Sequence, residues 1–284
     1  MEASEPLADV GAWLGRRESS EDQLTLAPAA ALAATLDRAE MPREGDELPL
    51  LWHWLYFLPK VRQSELGPDG HPARGGFLPP VTLPRRMWAA GRVTEHRTLV
   101  IGSPVRREST IASIEPKQGR SGALVFVTVR HEIYDAKGHA ISEEQHIVYR
   151  DAGRGAASLL ANPEPGAGAW RRSVRADPTL LFRYSALTFN GHRIHYDRPY
   201  AVGTEGYPGL VVHGPLIATL LVEGLHRTHP ASRIRELRFR ALRPLFGDDE
   251  VVATGEAPGS ALSCRLWAPD PRGGIAMDAE ATME

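Results

Sequence analysis

The β-like patterning is densest from Arg86 to Arg150. Leu124, Phe126, Val129 and Ile133 sit there among Thr128, Arg130 and Glu132, and β-branched residues are frequent. Residues 236–242 alternate more cleanly. Leu237, Phe239 and Ala241 share one face, and Arg238 and Arg240 the other. Further strands are predicted near 250–256, 262–268 and 274–282. Helical patterning is found elsewhere. Ala29 to Leu36 is rich in helix formers within an N-terminal helical region, 1–47, which Pro42, Gly45 and Asp46 then break. Leu48 to Leu58 is almost wholly apolar and too long for a typical strand, so it predicts a buried helix. A second apolar helix is predicted from His213 to about His226. Gly and Pro are dense over 64–80, which reads as a loop, and over 151–175, which reads as a linker. An irregular segment spans about 180 to 212.

The second half thus repeats the first, with an apolar helix followed by strands. The turn Asp135-Ala136-Lys137-Gly138 returns as Asp270-Pro271-Arg272-Gly273, a period of 135 residues. A helix followed by an antiparallel meander fits a sheet wrapped around a buried helix. Two such units, side by side, can continue one sheet and leave a cleft between the halves.

Composition narrows the function classes. Hydrophobic residues make up 42% and charged residues 24% of 284, which is ordinary for a globular chain. The formal net charge of −2 argues against nucleic-acid binding through bulk positive charge. Cys264 is the only cysteine, so an intrachain disulfide and a Cys-rich zinc site are excluded. The acidic N-terminus lacks the pattern of a secretory signal, and Pro215 to Val222 is far shorter than the ~20 residues of a membrane span. A cytoplasmic protein is expected, with neither membrane nor nucleic acid as partner.

The candidate chemistry lies between Tyr184 and Asp197, with Val211-Val212-His213-Gly214-Pro215 following. Histidine suits proton transfer near neutral pH. Asn190 offers a donor and an acceptor and can hold a water. Gly214 falls at the predicted start of the second helix, where an unpaired N–H and the helix dipole favour developing negative charge. A base, a water holder and an oxyanion donor are the parts needed to add water across an activated double bond. Plainer readings stand beside these. His192 and His195 could form a hydrogen-bonded loop pair, His213 a helix cap, and Gly214 a tight turn. Arg183, Arg193 and Arg198 offer bidentate donors for phosphate or carboxylate, or are surface arginines. Tyr184, Tyr196 and Asp197 are supporting partners or ordinary loop residues. A zinc site at His192 and His195 would need a third ligand, which only the distant His213 or an acidic group could supply, and no metal is expected. No nucleophile elbow or phosphate-binding loop is found; Gly119-Arg120-Ser121-Gly122 has the wrong spacing.

Asn190-Gly191-His192-Arg193-Ile194-His195, followed by His213-Gly214, resembles the MaoC-like hydratases and dehydratases of the hot-dog fold. The resemblance is closest to the branch of type 2 hydroxyacyl-thioester dehydratases and the mesaconyl-CoA and itaconyl-CoA hydratases. That family's pattern is Asp-x-Asn-Pro-x-His. His195 matches its catalytic His, and Asn190 replaces its Asp, which cannot then exchange a proton. Arg85-Arg86-Met87-Trp88 lies in the part that resembles the branch's degenerate first hot-dog. The resemblance implies an α+β double hot-dog, with two antiparallel sheets each wrapped around a central helix. Residues 1–150 would be a degenerate acyl/CoA-binding half, 151–175 a linker, and 176–284 the catalytic half.

The resemblance further implies a hydro-lyase acting on an acyl-CoA thioester. Asn190 and His195 would be catalytic, and Gly214, His213, Arg193 and Tyr196 would bind substrate or oxyanion. No cofactor is implied, because the thioester activates the alkene. Itaconyl-CoA or mesaconyl-CoA is the expected substrate and citramalyl-CoA the product. Dehydration of 3-hydroxyacyl thioesters in fatty-acid synthesis and a non-catalytic acyl-CoA-binding module are the alternatives. A two-copy chain can stand alone, and a homodimer is compatible with it.

Overall fold

Among the described residues, ten strands form one antiparallel sheet whose order reads the same from either end. The computed structural model describes residues 10–119, 122–151, 166–259 and 263–284. In chain order come β1 (Arg17–Gln23), α1 (Leu26–Thr35), β2 (Arg85–Glu95), β3 (Pro104–Gly119), β4 (Gly122–Asp135) and β5 (Gly138–Arg150). Then follow β6 (Trp170–Arg175), α2 (Pro178–Leu187), α3 (Arg198–Gly203), α4 (Gly214–Thr228), β7 (Ile234–Ala241), β8 (Glu250–Gly255), β9 (Ser263–Pro269) and β10 (Ile275–Met283). The sheet order is β1-β3-β4-β5-β2-β7-β10-β9-β8-β6, so each strand of the first half has a counterpart in the second. The halves join where β2 runs beside β7, with Gly91 opposite Phe239. A Cβ at Gly91 would lie 2.6 Å from the Phe239 ring, so glycine is what lets the aromatic cross the seam.

The repeat extends to individual hydrogen bonds. The turn at Asp135 joins β4 to β5, and the turn at Asp270 joins β9 to β10. Asp135 accepts from the Lys137 N–H at 2.7 Å, and Asp270 from the Arg272 N–H at 3.0 Å. Arg97 donates to the Gly138 carbonyl at 2.9 Å, and Arg243 to the Gly273 carbonyl at 3.0 Å. Each arginine also faces its turn aspartate, at 2.6 Å for Arg97 and 3.7 Å for Arg243.

The centres of the halves differ. In the second half, α4 packs against β6, β8, β9 and β10 and is buried without a break from Leu216 to Leu225. Each buried leucine there contributes about 1.5–3 kcal/mol. In the first half the predicted helix over Leu48 to Leu58 does not form. Only Trp52–Leu55 makes a single 3-10 turn. Leu51 (φ 73°) and Phe57 (φ 55°) take left-handed backbone on either side of it, and this interrupts any longer helix. The segment is still core, since Leu48, Leu51, Trp52, Leu55, Tyr56 and Phe57 are buried. It carries a buried polar pair, His53 Nε2 to Glu143 Oε2 at 3.0 Å, with Trp54 Nε1 donating to Glu143 at 2.9 Å. Burial resists ionisation of Glu143, but the His53 bond and charge outweigh it and bring its pKa down to about 2.

Three other expectations need correction. The N-terminal region holds strand β1 as well as α1; Arg17–Gln23 is polar throughout, and β3 alone supplies its pairing. The linker cannot reach 175, because Trp170–Arg175 is strand β6, paired with β8 at the sheet edge. Residues 152–165 of that linker lie outside the described residues. The segment from 180 to 212 contains α2 and α3, two short helices that Pro178 and Pro199 open and that Asp177 and Asp197 cap. Among the described residues, no helix is long and apolar enough to cross a membrane.

Candidate active site

His195 is the best-anchored group in the predicted stretch. It closes the 3-10 turn Arg193–His195 and is buried. Its Nδ1 lies 2.7 Å from the Val211 carbonyl. A carbonyl only accepts, so Nδ1 carries the proton and Nε2 keeps the lone pair of a base. Val211 is itself fixed, because its N–H donates to the Ile194 carbonyl at 2.9 Å. Burial lowers the His195 pKa to about 4, against the opposing pull of the Val211 bond, so the ring is neutral at physiological pH.

The ring stacks on His213, with centroids 3.6 Å apart and planes 18° from parallel. His213 is the N-cap of α4, and its side chain caps nothing. Its Nε2 meets Ser185 Oγ at 2.8 Å, while its buried Nδ1 has no partner among the described residues. Burial, followed by the neighbouring His195 and His192, holds the His213 pKa well below the usual imidazole value. The contrast with α2 and α3 is informative. Both of those helices have an aspartate side chain satisfying a first-turn N–H; α4, like α1, has no side-chain cap, and its uncapped start is the one that lies beside His195. Gly214 is its first residue. A Cβ there would meet only the Trp88 carbonyl at 3.9 Å and Met277 at 4.0 Å, so glycine is not demanded by packing.

Two residues the sequence did not single out complete the cluster. The 64–80 loop docks on the His195 loop, with the Arg193 N–H donating to the Asp69 carbonyl at 2.9 Å. A Cβ at Gly191 would lie 2.6 Å from the Gly70 carbonyl, so the two backbones touch. This brings His71 against His192, centroids 4.0 Å apart, and His192 stands edge-on to His195 at 5.5 Å. Asp69 accepts from His71 Nδ1 at 3.0 Å. Burial opposes ionisation of Asp69, yet the bonds from His71 pull its pKa well below the carboxylate range. Burial, then His71 and His195, lowers that of His192 to about 2. Among the described residues, Asp69, His71 and His192 form the grouping of metal-donor type, with donor atoms within 4.8 Å of one another. Nothing in the chain pattern marks this docking, because it joins residues over 120 positions apart.

Asn190 is held beside this cluster. Its Oδ1 accepts from the His192 N–H at 3.0 Å, and its own N–H donates to the Ser185 carbonyl. Arg193 and Tyr196 are engaged within the protein. Arg193 makes two bonds to Asp197 and lies over the Tyr200 ring at 4.1 Å. The Tyr196 hydroxyl donates to the Gly191 carbonyl at 2.9 Å. Tyr184 packs edge-on against His213 at 5.1 Å and supports the site from beneath. Arg183 and Arg198 are exposed, and the cluster around His195 does not include them.

Comparison with known proteins identifies relatives of the whole chain. Residues 51–247 match the family model of hydroxyacyl-thioester dehydratase type 2. The chain is 50% identical over 265 residues to the mesaconyl-C(4)-CoA hydratase of Chloroflexus aurantiacus, covering 93% of this chain and 94% of that one. It is 28% identical over 258 residues to the mitochondrial hydroxyacyl-thioester dehydratase type 2 of Schizosaccharomyces pombe, covering 80% and 85%. A MaoC-like dehydratase from Phytophthora capsici superposes with a TM-score of 0.71 at 16% identity, covering 95% of both chains. A Mycobacterium tuberculosis protein described as a double hot-dog superposes at 0.58 and 13% identity, covering 95% and 96%. The expected α+β double hot-dog is the fold.

Proposed function

Since this chain belongs to the type 2 hydroxyacyl-thioester dehydratase family, we propose that it hydrates a short branched dicarboxylyl-CoA, mesaconyl-CoA or itaconyl-CoA, to citramalyl-CoA. The protein is an acyl-CoA hydratase of the hydro-lyase class. The finer substrate assignment draws on the mesaconyl-C(4)-CoA hydratase relative. A cytoplasmic setting fits the lone thiol, Cys264, which is buried and unpaired.

The single observation that carries the mechanism is the stacking of a neutral, tautomer-fixed His195 on the uncapped start of α4. In a mesaconyl thioester, whose alkene is conjugated with the thioester, a water held by the Asn190 amide donates a proton to His195 Nε2 as its oxygen attacks the β-carbon. The Gly214 N–H polarises the thioester carbonyl and takes up the enolate-like charge, an effect worth about 3–4 kcal/mol for an oxyanion donor. His195 then returns the proton to the α-carbon on the same face, so addition is syn. Water is consumed, one C–O and one C–H bond form, and the π bond is lost. His213 keeps the His195 ring parallel to the helix mouth. Arg193 and Tyr196 hold the loop that carries Asn190 and His195, a positioning role rather than contact with substrate.

A panel of mesaconyl-CoA, itaconyl-CoA, crotonyl-CoA and a long-chain 3-hydroxyacyl-CoA tests the assignment. Faster hydration of a dicarboxylyl thioester than of crotonyl-CoA is expected. Preference for a long 3-hydroxyacyl thioester would favour fatty-acid dehydration, and binding without turnover would favour an acyl-CoA-binding module.

A further inference from the structure

β2 carries two adjacent arginines with opposite circumstances. Arg85 pairs with Glu205 at 3.3 Å, donates to the Glu205 carbonyl and lies over Tyr207. Among the described residues, Arg86 has no carboxylate within 4.0 Å. It stands directly opposite Tyr149 in the β2–β5 register. The Tyr149 hydroxyl is fully buried and meets that guanidinium, with no other partner among the described residues. The 66–84 loop covers this patch, where Arg74 is clamped by the Val81 and Pro84 carbonyls. Two residues along β2 from Arg86, the Trp88 carbonyl lies 3.9 Å from where a Cβ on Gly214 would stand, so this strand runs past the start of α4. A guanidinium with no carboxylate, on the strand that reaches the start of α4 and backed by a buried hydroxyl, describes a site prepared for an anion.

The chemistry of the substrate says where such an anion must sit. In a mesaconyl thioester the free carboxylate is carried on the carbon that water attacks. Its anchor must therefore lie beside the water-activating residues, not at the far end of an acyl tunnel. An unpaired carboxylate there would be costly to desolvate. The geometry points to Arg86 as the specificity residue: its guanidinium, with the Tyr149 hydroxyl, receives the free carboxylate of a dicarboxylyl-CoA. Arg74 holds the covering loop and adds positive charge. This inference rests on the dicarboxylyl reading above and assigns the residue that enforces it.

The test compares kcat/KM for mesaconyl-CoA and crotonyl-CoA in the wild-type protein, Arg86→Gln and Arg86→Lys. The measured quantity is the ratio of the two substrates, which cancels any general loss of folded enzyme. Arg86→Gln should lower the ratio by roughly 30-fold or more, the scale of removing one partner of a buried charge pair. Arg86→Lys keeps the charge but not the two-pronged fork, and should give an intermediate ratio. A ratio unchanged in Arg86→Gln, with both substrates slowed alike, would assign the arginine to the CoA moiety or to the fold and overturn the proposal. A wild-type enzyme that prefers crotonyl-CoA would instead overturn the dicarboxylyl reading, and this assignment with it.

Discussion

The two halves of this protein share a sheet and differ in what the sheet encloses. Five strands in the same order surround α4 in the second half and the Leu48–Leu58 segment in the first. α4 delivers an uncapped helix start into a buried space, and His195 and His213 stack there. The first half fills the equivalent space with tryptophan and tyrosine and ties His53 and Trp54 to Glu143, while His53 Nδ1 has no partner among the described residues. The lesson is that the scaffold does not make the site. A helix start that meets a stacked histidine pair creates a place where charge can develop, whereas an ion pair locked inside the core serves stability. The first half reaches the His195 loop through residues 64–80, which bring His71 against His192.

This contrast predicts that a buried histidine in the first half matters to folding rather than to turnover. His53→Ala should destabilise the protein by about 3–5 kcal/mol, because it leaves Glu143 buried without that partner. Chemical denaturation would read the loss, and kcat of the remaining folded enzyme should stay close to wild type. A large loss of kcat at full stability would show that the first half holds a working centre. A smaller effect is expected where the halves are most alike. Asp135→Ala and Asp270→Ala should each cost about 1–3 kcal/mol, since each removes an aspartate that accepts a turn N–H and faces an arginine. Thermal unfolding of both variants would check this. Loss in one and none in the other would mean that the matching bonds do not carry matching weight.

Much of this contrast could be read from the residues. The alternation in β7 and the dense β-branched run of β3 to β5 put their strands where they occur. The Asp135 and Asp270 turns revealed the repeat, because a tight turn needs specific residues that survive in both copies. The helix expected at Leu48–Leu58 failed for a tertiary reason. Its apolar content reports burial, not conformation, and left-handed backbone at Leu51 and Phe57 is not encoded in hydrophobicity. β1 was invisible because an edge strand of Arg, Glu, Ser and Asp has no apolar face to alternate. Within the candidate site, Asn190, His195 and Gly214 stand in local motifs, whereas His71 joins them by loop docking, which no local motif marks.

The most direct measurement is the hydration rate of His195→Ala, followed in a single turnover with mesaconyl-CoA alongside a check of thermal unfolding. Removing the group that takes the proton from water and returns it to carbon should slow hydration by about 10²–10⁴-fold in a folded protein that still binds the thioester. Hydration at nearly the wild-type rate would contradict the account.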